Sequence, residues 1–168
     1  MELVNKVAES GLIVIDLEDF FPREEVVAFD LKEYLFKDLL LKEMEFRESL
    51  KKNNWPEYQN KTVAVFCSTD AILPQWSYML VTQYLLQQTA EVYRGTKEEV
   101  IAAKWLSNIQ AIDTAKYKDE RVIVKGCGHH QANSAAYVEI SKKLIPVVKS
   151  LMFGEPCSTV PVYKRKGA

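Results

Sequence analysis

Three cysteines, Cys67, Cys127 and Cys157, are the residues whose type and setting most suggest chemistry. Cys67 follows the β-branched run Thr62-Val-Ala-Val-Phe66 and precedes Ser68-Thr69-Asp70. Cys127 follows a second such run, Arg121-Val-Ile-Val-Lys125, and precedes Gly128-His129-His130. Cys157 lies in Gly154-Glu-Pro-Cys-Ser-Thr-Val-Pro161 and repeats the Cys-Ser-Thr triplet of Cys67 to Thr69. Three thiolates with one exchangeable position suit zinc or an iron–sulfur cluster. The spacing contains no Cys-x-x-Cys clip, so such a centre has to be assembled by the fold.

Other uses of the same residues stand beside this one. A cysteine often packs as a small hydrophobe. Cys67, placed before a helix N-terminus, could also act as a nucleophile, because backbone N–H groups there favour the thiolate. His129 or His130 would then supply the base; the histidine pair reads equally as a solvated loop. Asp16, Glu18 and Asp19 end the run Leu12-Ile-Val-Ile-Asp-Leu17. Carboxylates there could hold a cation, or simply mark a wet strand end. Trp76, Tyr78 and Tyr137 fall on helical segments just beyond the cysteine-bearing strands and read as core. A non-catalytic interaction module is the third class, and it would show an exposed apolar patch without a polar pocket.

The elements that must position these residues are visible in the pattern. Strands are expected at 12–17, 26–29, 62–67, 90–94 and 121–126, with a last edge strand over 160–163 where Pro161 excludes a central position. Apolar spacing from Leu31 to Lys52 fits one or two helices, with Asp30 as N-cap. A helix is expected from Pro74 to residue 88. Another runs from the capping box Thr96-x-x-Glu99 to Ile109. The last spans Ser134 to Met152, kinked near Ile145 by Pro146 and stopped at Gly154. Its roughly 27 Å would carry the chain across the sheet to Cys157. Asn53-Asn54-Trp55-Pro56 is the clearest break and the best boundary for an N-terminal subdomain over 1–54.

Residues 58–88 and 117–152 also repeat one another. Tyr58, Val63, Val65, Tyr78, Val81 and Leu85 match Tyr117, Val122, Val124, Tyr137, Ile140 and Leu144 at an offset of 59 residues. Strands alternating with helices imply parallel pairing through crossovers. The expected fold is one α/β domain: a mostly parallel or mixed sheet with helices on both faces, containing a repeated strand–helix unit. Ligands in such sheets bind beyond the carboxyl ends of the strands, where Cys67 and Cys127 both fall.

Bulk properties narrow the classes. The chain has 168 residues, a net charge of −1, and 48% apolar against 27% charged residues. That balance carries no basic footprint for nucleic acid. No apolar run approaches the ~20 residues of a membrane helix, and the opening Met-Glu-Leu-Val-Asn-Lys has no basic region before an apolar core. A small, odd number of cysteines fits a reducing cytoplasm. Gly126-Cys-Gly128 is too short for a dinucleotide fingerprint.

Three stretches together resemble a known family. They are Val63-Ala-Val-Phe-Cys-Ser-Thr-Asp-Ala-Ile72 with Pro74-x-Trp-x-Tyr78, Val124-Lys-Gly-Cys127 with Ser134-Ala-Ala-Tyr-Val-Glu139, and Val148-Lys-Ser-Leu-Met-Phe-Gly-Glu-Pro-Cys-Ser-Thr-Val-Pro161. They are similar to uncharacterised Bacteroidetes proteins grouped as a domain of unknown function, DUF2480. The resemblance covers essentially the whole chain and is most specific in the last stretch. It implies a cytoplasmic stand-alone protein whose recurrent cysteines match Cys67, Cys127 and Cys157; the His129-His130 pair lies outside that motif. It also associates the chain with iron–sulfur assembly proteins as partners, in an accessory role.

Thiol reactivity separates the readings. A nucleophilic Cys67 is alkylated at neutral pH faster than Cys127 and Cys157, because only the thiolate attacks. Equal, slow labelling of all three, measured by mass spectrometry, assigns them to packing.

Overall fold

The computed structural model of the chain describes residues 11–126 and 128–167. In chain order its main elements are β1 (Leu12–Asp16), β2 (Val26–Asp30), α1 (Glu43–Lys52), β3 (Thr62–Phe66), α2 (Gln75–Leu86), β4 (Glu91–Arg94), α3 (Lys97–Gln110), β5 (Arg121–Lys125), α4 (Ser134–Leu144), β6 (Ser150–Glu155) and β7 (Ser158–Lys164). The protein is α/β, with parallel and mixed sheets and helices on both faces, as the alternation of periods indicates. The chain divides into two compact units. A continuous unit holds residues 23–102; a split unit holds residues up to Pro22 together with those from Ala103 on. The break at Asn53 to Pro56 falls inside the continuous unit.

In the continuous unit β2, β3 and β4 form an all-parallel sheet in that order. Val63 and Val65 of β3 face a core with Phe46 and Leu50 of α1 and Val81 and Leu85 of α2. On the opposite face Ala64 packs with Val26 and with Val100 in the first turns of α3. That helix starts on the expected capping box: the Glu99 carboxylate accepts the Thr96 N–H at 2.8 Å, and the Thr96 hydroxyl accepts the Glu99 N–H at 3.3 Å. The apolar stretch after Asp30 splits. It forms a 3-10 turn over Leu31–Tyr34, a local bridge between Phe36 and Leu40, and only then α1.

The split unit repeats this plan. Its sheet order is β1-β5-β6-β7, with β7 antiparallel on β6. Val122 and Val124 of β5 pack with Trp105 and Ile109 of α3 and with Ala136, Ile140 and Leu144 of α4. The strand registers correspond residue for residue. Leu12 pairs with Arg121 where Val26 pairs with Thr62, and Arg121 pairs with Ser150 where Thr62 pairs with Glu91. The turns that feed the central strands also match. Asn60 and Asp119 both adopt positive φ (57° and 60°). Their N–H groups donate to the carbonyls of Gln88 and Val147 at 3.1 and 2.9 Å. The expected strand–helix repeat is therefore real, and it is wider than the sequence pattern indicates.

Two expectations are corrected: the strands form two sheets rather than one, and the last helix is shorter. The helix after Ser134 does not reach Met152; it ends at Leu144, with Ile145 as C-cap. Pro146 cannot donate the next helical hydrogen bond, and Ser150–Glu155 form β6 beside β5. Gly154, at φ +118°, is thus a strand residue of the β6–β7 hairpin rather than a helix stop. Pro161 does sit on an edge strand, next to the register shift at Leu151/Met152. No helix among the described residues is long and apolar enough to cross a membrane.

Leu85 and Leu144 occupy matching, fully buried positions. Truncating either to alanine should cost about 2–5 kcal/mol, read as a lower urea midpoint, with the signal of its own unit lost first.

Candidate functional site

The carboxyl ends of β1, β5 and β6 lie side by side in the split unit. Asp16 ends β1 and turns the chain, its Oδ1 accepting the Glu18 N–H at 3.0 Å. Lys125 ends β5 and extends Nζ to Asp16 Oδ2 at 3.3 Å and Glu155 Oε1 at 3.6 Å. The Asp16 contact, with the charges of Glu155 and Asp16, raises the Lys125 pKa, so the amine stays charged. Three strand ends are joined by one cation.

Glu18 reaches from the β1 turn to the loop after β5. Its Oε1 accepts the His130 N–H at 3.1 Å and stands 3.2 Å from His130 Nδ1. The His130 ring stacks on Phe21 with centroids 3.7 Å apart. Loss of solvation opposes ionisation of Glu18. Hydrogen bonds from the His130 side chain and backbone, with His129 adding to them, outweigh it and hold the carboxyl below 4.5.

The glycines on either side of Cys127 are fixed by close approach. A Cβ on Gly128 would fall 1.5 Å from Glu18 Oε2, and one on Gly126 would fall 2.7 Å from the Tyr137 hydroxyl. Tyr137 comes from α4, and its ring meets Phe153 of β6 edge-on at 5.5 Å. Tyr137 is thus half-buried packing that brings a phenol to the rim. Cys127 itself lies outside the described residues. Cys157 is an exposed free thiol at the tip of the β6–β7 hairpin, where Pro156 and Cys157 link paired Glu155 and Ser158.

Cys67 belongs to the continuous unit. It follows β3, so Cys67 and Cys127 follow strands of different sheets and share no sheet rim. Its partly buried Sγ lies 3.3 Å from the Thr69 hydroxyl, which is no base. Beside it Asp30 ends β2 as Asp16 ends β1. The Asp30 Oδ1 accepts the N–H groups of Lys32 at 2.9 Å and Ser68 at 3.0 Å. Burial again opposes ionisation, and hydrogen bonds from Ser68 and Lys32 lower the pKa despite it. Among the described residues, no three His, Cys, Asp or Glu side chains gather as a metal site.

Residues 1–165 match the family described as Protein of unknown function (DUF2480). The chain belongs to the DUF2480 family. No curated protein and no solved structure matches it. For this DUF2480 protein, then, the roles of the rim residues rest on chemistry alone. Sequence reasoning named Glu18 and the histidines separately and missed their meeting, together with Lys125. The signal available was the pair of glycines around Cys127, which marks a backbone approached closely from both sides.

The depressed Glu18 pKa sets a pH dependence. Its contribution to stability is complete above 4.5 and is lost as pH falls through the lower folded value. Glu18→Gln should therefore flatten the fall of the urea midpoint on acidification, while changing little in the remaining acid sensitivity that Asp30 carries.

Proposed function

We propose that the protein binds a thiophilic metal centre, zinc or an iron–sulfur cluster, at the carboxyl rim of the β1-β5-β6-β7 sheet. Cys127 and Cys157 are its thiolate ligands. The observation that carries this reading is the close packing of Gly126 and Gly128, the two residues next to Cys127 in the chain. These glycines abut a carboxylate and a phenol, and His130 is oriented by that same carboxylate. Adjacent parallel strands lie about 4.8 Å apart. Cys127 and Cys157 each follow such a strand by two residues, β5 and β6 respectively. Thiolate, imidazole and carboxylate are the donors zinc accepts, and a carboxylate beside a ligand histidine is the usual second support.

Cys67, the third thiol expected for the centre, is carried by the continuous unit. The exposure of Cys157 suits a centre that is passed on rather than stored, which is the accessory role proposed here, with iron–sulfur assembly proteins as partners. A reducing compartment such as the cytoplasm would keep these thiols available.

Anaerobic purification followed by metal analysis and absorption spectroscopy tests the proposal. Wild-type protein should hold zinc or iron. Cys127→Ala and Cys157→Ala should each weaken retention at least ~10-fold, and lowering the pH should release the metal as the thiolates protonate. A colourless, metal-free wild type that takes up neither ion returns the cysteines to packing.

A further inference from the structure

The outer face of α2 has no charged side chain. Nor has any residue from Ala71 to Ala90, in a chain that is 27% charged. The helix buries Ser77, Val81 and Leu85. On the other side Met79 is 71% exposed and Leu86 59%; Ile72, in the extended segment before the helix, is 98% exposed. Met79 and Leu86 lie seven residues, two helical turns, apart, with exposed Gln83 between them and exposed Gln75 one turn before Met79.

The split unit supplies an internal comparison. Tyr78, Met79, Thr82, Gln83, Leu86 and Gln87 line a shallow groove on α2. Tyr137, Val138, Ser141, Lys142, Ile145 and Pro146 line one on α4, and each is the residue 59 positions on. The α4 copy is dressed for water: Lys142 pairs with Glu139 at 2.8 Å, and Lys143 follows. Gln83 stands where α4 has Lys142. The same helix on the same scaffold thus carries a charged outer face once and an uncharged one once.

We infer that α2 is a homodimer seam, packed against α2 of a second copy of this chain. A twofold contact brings each residue near its own counterpart or that of a neighbour, so a charge on it meets its like. A seam without charge avoids this. Primary amides are self-complementary, each offering donors and an acceptor, so Gln75 and Gln83 can pair across the axis. A partner of either charge would find no opposite charge on α2 itself. An anionic lipid surface would find no lysine or arginine along the helix, and Arg47 of α1, the basic group beside it, lies over the Trp76 ring. Depletion of charge with retained methionine and leucine is the composition of a homodimer core.

The test is sedimentation equilibrium of the full chain between about 1 and about 100 μM, a range that brackets a micromolar dissociation constant. Reductant and chelator are present, so that bridges through Cys157 do not count. Wild-type protein should be a dimer. Met79→Glu should raise the dissociation constant at least ~30-fold. Gln83→Lys, which installs the side chain α4 already tolerates, should act in the same direction with an unchanged circular dichroism spectrum and thermal midpoint. Val138→Glu on α4 should leave the dimer intact. A wild type that stays monomeric at the highest concentration overturns the inference, whatever other protein or vesicle it binds. So does a dimer that survives both α2 substitutions, or one that Val138→Glu dissociates.

Discussion

Val63, Ala64 and Val65 of β3 are all out of water, and so are Val122, Ile123 and Val124 of β5. A strand buried on both faces cannot stand at a sheet edge or turn one side to solvent. It needs a neighbour on each side and cover above and below. Parallel neighbours satisfy this only through crossovers, because a tight turn cannot join parallel strands. The helices follow from that requirement. So does the placing of every strand-to-helix loop in a unit at one end of its sheet, and the titratable side chains collect there because the interior of these strands has no room for them.

The two units show what one scaffold does with different rims. Asp16 and Asp30 end corresponding strands, and both turn the chain by accepting an N–H two residues on. In the continuous unit the carboxylate also takes the Ser68 N–H. In the split unit it takes a lysine instead, and the next carboxylate, Glu18, closes on a glycine-flanked loop. In the 59-residue frame Cys67 corresponds to Gly126, and Ser68 to Cys127. The cysteines of the two units therefore occupy positions one residue apart in the repeat.

Local patterns in the chain carry local structure well. The β-branched runs, the Thr96–Glu99 box and the repeat at 58–88 and 117–152 are all legible because their physics acts within a dozen residues. The stretch Lys149 to Glu155 is not. A short apolar run beyond a proline suits a helix or a buried strand equally, and only pairing with β5 decides it. Partnership is the general gap. Nothing in Leu12–Asp16 says that its neighbour is Arg121–Lys125 rather than Val26–Asp30. The shared turn Asp-Leu-x-[Asp/Glu]-aromatic at Asp16 and Asp30 escapes notice because it recurs at 14 residues, out of frame with the longer repeat. The candidate site inherits this gap, since Glu18 meets His130 from the far end of the chain.

The division of the chain also orders its assembly. Residues 23–102 hold every strand of the β2-β3-β4 sheet, so that sheet is complete as soon as β4 has left the ribosome. β1 is made first and pairs late, since Leu12 waits for Arg121, about 110 residues downstream. Through most of synthesis β1 is an apolar strand with open hydrogen-bonding edges. Its shortness, five residues closed by an aspartate, limits how long a ladder a neighbouring nascent chain could build on it.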